Sequence, residues 1–153
     1  RGRATAWSEM PRGVLSALWA VTSLAYTFSG LTKLASPSWV GGRAVGLLLD
    51  GPLARAWWPT DLLAAAPAPL LAALGWALLG LEFGYAPLAL SARARPWLWV
   101  ATLAMHAGLA LTMNFADISI AMIAFHLALA EPAWFAPAPR PERADRGPGP
   151  FGV

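Results

Sequence analysis

Six ionisable side chains stand in or beside long apolar runs of this 153-residue sequence: Lys33, Glu82, His106, Asp117, His126 and Glu131. An ionised group near the centre of a bilayer costs roughly 2.5–3.5 kcal/mol on insertion scales. Each of the six therefore needs a partner, a wet surface or a task. Lys33 ends an apolar run and has two readings. It can cap the helix end or snorkel toward headgroups. Alternatively, a lysine drawn partly out of water gives up its proton more readily and can act as a proton acceptor. Glu82 lies mid-run, far from either surface, as does His106 in the next run. Similar depth on adjacent helices makes Glu82 and His106 the expected pair. His126 lies at comparable depth and reads more simply as a packing histidine. Asp117 opens a helix and is expected to cap it. Glu131 precedes Pro132 and is expected at an interface.

Other chemistry is excluded or weak. The chain has no cysteine, so it holds no disulfide, thiolate zinc site or thiol nucleophile of its own. No phosphate loop, dinucleotide fingerprint, HExxH or Ser-His-Asp ordering is present. His106 and His126 are 20 positions apart and offer with Glu82 only a weak metal pattern, so no metal is expected. The net charge is +3 and the pI near 10.2, but no Lys/Arg block suggests nucleic acid as a partner.

These residues must be positioned by helices in lipid. Hydrophobic residues make up 58% and charged residues 12%, with a mean hydropathy of +0.53. A soluble domain carries about 25% charged residues. Four runs approach the ~20 residues that a spanning helix needs: Gly13 to Leu34, Leu70 to Leu90, Pro96 to Asn114 and Ile118 to Phe135. Backbone in hydrocarbon must satisfy its own hydrogen bonds, and without period-two alternation the answer is helical. The expected fold is all-α: a bundle of four transmembrane helices over residues 1–135, followed by a disordered Pro/Arg/Gly-rich tail over 136–153. Ala35 to Pro69 reads as an irregular interfacial or re-entrant segment between the first two helices, with Pro37 and Pro59 as stops. Val45 to Leu49 within it is apolar but too short to span. The chain begins at Arg1 and reads as part of a longer or processed product.

Tryptophans fall into two belts, Trp39, Trp57 and Trp58 on one side and Trp7, Trp97, Trp99 and Trp134 on the other. Trp19 and Trp76 are expected inside the bundle. Gly80 and Gly84 form a small-residue stripe that permits close helix contact. Eight arginines (Arg1, Arg3, Arg12, Arg93, Arg95, Arg140, Arg143, Arg146) share the side of both termini, against Lys33, Arg43 and Arg55 opposite. The positive-inside rule makes both termini cytoplasmic in a multi-pass cell-membrane protein.

The pattern Tyr26-x-x-x-Gly30-Leu31-x-Lys33-Leu34, then Trp39-x-x-Gly42, resembles the HTTM (horizontally transferred transmembrane) domain, the membrane domain shared with vitamin K-dependent gamma-carboxylase. The resemblance continues through Glu82, the Arg93/Arg95-Pro96 loop, His106, Phe115-x-x-Ile118-x-x-x-Met122 and Glu131-Pro132-x-Trp134. It covers about Trp7 to Phe135, the latter part of such a domain. It implies a quinone or hydroquinone as ligand, with Lys33 as the base that deprotonates the hydroquinone and His106 stabilising a quinone oxygen. Glu82 would belong to the same catalytic set, and Tyr26, Trp39 and His126 would line the ligand. The carboxylase's substrate-docking domain and earlier helices have no counterpart here, so carboxylation of peptide glutamate is the least expected activity. The stretch Asn114 to Asp117 and the run Arg95 to Trp99 resemble bacterial members, some of which are fused to or sit beside a DCC-type thiol-disulfide oxidoreductase. A non-catalytic membrane partner for such an enzyme, or for peptide maturation, is the second expectation. A small DoxX-type protein, sharing the Gly-x-x-Lys helix end, is the third; Trp39-x-x-Gly42 and His106 favour HTTM.

Overall fold

The computed structural model describes residues 11–135. The expectations for Trp7, for a disordered tail over 136–153, and for Arg1, Arg3, Arg140, Arg143 and Arg146 lie outside the described residues. Among those described, the chain is all-helical; the nearest thing to a sheet is an isolated bridge between Ala54 and Met113.

Helix α1, Arg12–Leu34, follows Pro11 and runs 23 residues, about 35 Å at 1.5 Å per residue. It is long and apolar enough to cross a membrane. Trp19, Thr22, Tyr26 and Gly30 form its buried face at helical spacing, while Val21, Leu24, Phe28 and Leu31 face outward. The stretch after it is less irregular than expected. It holds three short helices, α2 (Pro37–Val40), α3 (Ala44–Leu49) and α4 (Trp58–Ala64). Val45 and Leu49 of α3 pack with Leu71 and Met113 in a second small core, so the segment lies against the helices that follow. Gly42 turns the chain there at φ +71°, and a Cβ on it would lie 2.7 Å from the Cβ of Ala72.

The second apolar run is broken. Helix α5 (Ala68–Phe83) meets α4 at 104° and stops at Gly84, where α6 (Tyr85–Ala89) begins. Pro87 explains the break: it has no N–H for the carbonyl four residues back, at Phe83, and its ring crowds that carbonyl. Helix α7 (Arg95–Thr112) matches the third run, with Pro96 in its first turn. The fourth run is shorter than expected. Helix α8 (Ala116–Ala128) has 13 residues, about 20 Å. Pro132 starts a separate 3-10 turn, Pro132–Phe135, because the residue before a proline is pushed out of helical geometry.

Helix α1 packs on α5 and α6, and α7 packs on α8. The main core is Trp19, Tyr26, Tyr85, Ala89, Leu98 and Leu129. Polar side chains are buried beside this apolar core, and many large apolar side chains are left exposed. Thr22, Glu82, Thr102, His106, Ser119 and His126 are buried, while Leu24, Phe28, Leu62, Leu90, Trp97 and Ile120 are exposed.

Two packing expectations are corrected. Trp76 is 54% exposed rather than inside the bundle, because its indole N–H reaches outward to the Val40 carbonyl at 3.1 Å. The Gly80/Gly84 stripe does not bring two long helices together: a Cβ on Gly80 would meet nothing within 4 Å, and one on Gly84 would meet only the Gly80 carbonyl of its own turn and Leu88 Cδ1 of the adjoining α6. The close approach is made by Gly30 instead.

Candidate functional site

Gly30 sets the site. A Cβ there would lie 2.5 Å from the Phe83 backbone nitrogen and 3.0 Å from the Glu82 carbonyl carbon. Only glycine lets α1 lie this close to α5, and the contact puts Lys33, one turn further along α1, beside Glu82. The ammonium Nζ of Lys33 donates to both Glu82 carboxylate oxygens at 2.5 Å and to Ser29 Oγ at 3.3 Å. The Trp39 ring centroid lies 4.9 Å from Nζ, a cation–π distance. The Glu82 side chain is 8% exposed and that of Lys33 24%.

The expected Glu82–His106 pair is therefore replaced by Glu82–Lys33. Lys33, although in the last turn of α1, turns its amine across to α5 instead of toward the helix end. His106 has a different partner. Tyr26 Oη and His106 Nε2 are 2.6 Å apart and buried. Tyr26 stacks on Tyr85, ring centroids 4.5 Å apart at 13°. The His126 ring lies 5.6 Å from Tyr26 and 5.5 Å from His106. Tyr26, Lys33, Glu82, Trp39, His106 and His126 thus fall into two groups along the α1 seam: an ion pair under an indole, and a more deeply buried Tyr-His-His cluster.

The tautomer of His126 follows from its partner. A carbonyl only accepts, so Nδ1 carries the proton that is donated to Met122 O at 2.7 Å. Its Nε2 is then a buried lone pair with no partner among the described residues. His106 Nδ1 is likewise buried and unpartnered. Buried polar atoms are ordinarily hydrogen-bonded, so these two are orphan nitrogens, on rings whose centroids lie 5.5 Å apart. Other contacts hold this cluster in place. The Ala86 N–H, freed where α5 ends, donates to Thr27 Oγ1 at 3.2 Å. The Trp99 indole N–H donates to His126 O at 2.6 Å.

Asp117 and Glu131 lie outside the seam. Asp117 sits inside the first turn of α8 and makes no capping bond; Phe115 occupies the N-cap. Its charge there complements the helix dipole. Glu131 pairs with Arg95 at 3.1 Å, and Arg95 also donates to Ala89 O at 2.7 Å. That contact locks α6, α7 and the final turn together. Sequence reasoning missed Tyr85. The signal was available, because the chain has only two tyrosines and both fall in apolar runs, where a phenol needs company. Among the described residues no three of His, Asp and Glu gather as a metal site requires.

No family model, no curated protein and no solved structure matches this chain.

Proposed function

We propose that the chain is an HTTM-type integral membrane protein of four spans, and that its buried seam receives the head of a quinone-like lipophilic ligand. The observation that carries this reading is the combination of large apolar side chains left exposed and an ion pair with a Tyr-His-His cluster buried among the helices. Hydrocarbon as solvent makes that arrangement favourable; water does not. A ligand oxygen can meet the orphan nitrogens, donating to His126 Nε2 if it is a hydroxyl or accepting from His106 if that ring carries its proton on Nδ1.

The pairing refines how Lys33 serves as proton acceptor. An ammonium has no lone pair. It accepts a proton from a ligand hydroxyl only by handing one of its own to Glu82, which leaves a neutral acid beside a reprotonated amine. The two residues act as one acceptor, with Trp39 as its lid. Lys33→Ala and His106→Ala are each expected to abolish oxidation of added quinol by dissolved dioxygen, the electron acceptor, which follows this deprotonation, while leaving the protein inserted. The check is quinone extraction from the purified protein plus a quinol absorbance assay. Purified protein that carries and binds no quinone sinks the reading. A second reading, a non-catalytic partner of a thiol oxidoreductase or peptide-maturation system, is favoured by the double grip of Glu82 on Lys33, which suits a structural tie. Membrane insertion without quinone binding selects it.

In this proposal α1, α5 with α6, α7, and α8 with its final turn are the spans, and both termini are cytoplasmic. A reporter active only in the cytoplasm is expected to be active when fused after Phe135 and silent when inserted at Arg55. The reverse pattern overturns the topology.

A further inference from the structure

A second feature lies away from the seam. Between α5 and α7 is a cavity of about 620 Å³, within the roughly 300–1,000 Å³ of small-molecule sites. Among the described residues that line it, Thr112 alone has a polar side chain, and its hydroxyl already donates to Gly108 O at 2.8 Å. Gly80 on α5 and Gly108 on α7 line the cavity, and a Cβ on either would meet nothing within 4 Å. Small residues on facing helices ordinarily let the backbones close together; here they widen a slot. Its walls ask for hydrocarbon.

One end of the slot, at Thr112 and Met113, abuts Arg55. The Arg55 backbone N–H donates to Thr112 O at 2.8 Å, and its Nη2 donates to Met113 O at 3.2 Å. Its guanidinium lies 5.6 Å over the Trp57 ring. Its Nε is buried without a partner, and no carboxylate pairs with it among the described residues, Asp50 and Asp61 included. Beside it Trp58 is 71% exposed. Exposed tryptophan next to arginine is the composition of the headgroup level.

We propose that the slot and Arg55 together hold an anionic phospholipid, with one acyl chain between α5 and α7 and the phosphate on the guanidinium. The hydrocarbon lining selects a chain; the guanidinium charge, which no carboxylate balances among the described residues, selects a phosphate over a zwitterion's balanced head. The inference rests on the membrane reading and is independent of the quinone reading.

The test uses full-length protein purified in detergent, native mass spectrometry, and added dioleoyl phosphatidylglycerol or dioleoyl phosphatidylcholine. Detergent-phase partitioning, measured first, checks the membrane reading by itself. The expected result is one retained phosphatidylglycerol, at least tenfold preferred over phosphatidylcholine. Arg55→Gln should reduce that preference below twofold, and Arg55→Lys should keep part of it. Gly108→Leu should lose both lipids, since its side chain fills the slot. Ala104→Leu serves as the second filler, and unchanged helical circular dichroism confirms folding. Equal retention of the two lipids by the unaltered protein overturns the proposal. So does unchanged retention in both Arg55→Gln and the fillers, or inorganic phosphate binding as tightly as the lipid.

Discussion

Glu82→Leu will lower stability by about 3–5 kcal/mol, because it strands the Lys33 ammonium in an apolar wall. On the proposed function, the same change will also abolish proton acceptance by the pair. For a chain of this size the loss corresponds to an apparent Tm lower by roughly 6–20 °C. The Lys33 side chain is 24% exposed, which favours the lower half of that range. The double variant Lys33→Met/Glu82→Leu will recover most of the loss, since replacing both partners of a buried pair with apolar groups is often neutral or better. It will remain inactive. Thermal unfolding in detergent, followed by circular dichroism, reads the first part and quinol oxidation the second. A double variant no more stable than Glu82→Leu would show that the pair does not form. A double variant that is stable and still active would show that the pair is structural only.

The pairing itself could not be read from the sequence, and the reason is specific. Depth along a helix is legible from position in an apolar run, so Glu82 and His106 looked matched. Rotation about the helix axis is not legible without knowing which faces touch. That depends on Gly30, whose lack of a side chain brings α1 onto Phe83 and so gives Glu82 to Lys33. The residues of the seam were all identifiable, because titratable and aromatic groups are conspicuous among alanine and leucine. Their partners were not. The helical runs were legible where prolines sit at their starts, as with Pro96 of α7. They were misjudged where prolines fall within them. Pro87 and Pro132 split runs that read as continuous by hydropathy, which measures oiliness and ignores the missing N–H. The segment from Ala35 to Pro69 looked irregular because its helices are too short for a periodic signal; tertiary contacts of Val45 and Leu49 hold them.

The Gly30 contact yields the sharpest test of this account, because propensity and packing predict opposite signs. In a helix interior alanine is better than glycine by about 1 kcal/mol. On that basis Gly30→Ala and Gly80→Ala should both stabilise. Packing separates them. A Cβ on Gly80 meets nothing within 4 Å, so Gly80→Ala is expected to raise stability by roughly 0.5–1 kcal/mol. A Cβ on Gly30 falls 2.5 Å from Phe83 N and 2.8 Å from Phe83 Cα. Both atoms are backbone in a helix and cannot rotate aside. The helices must part, at about 1–3 kcal/mol for overpacking, and this outweighs the propensity gain. Parting also draws Lys33 off Glu82 and Tyr26 off His106, so Gly30→Ala should lose the quinol binding and oxidation proposed for the seam together with stability. Gly30→Val, with a larger and branched side chain, should lose more. Apparent Tm values for the three variants in one detergent decide the matter. Stabilisation by Gly30→Ala equal to that of Gly80→Ala would mean that α1 and α5 do not meet at this position, and the seam would lose the contact that assembles it.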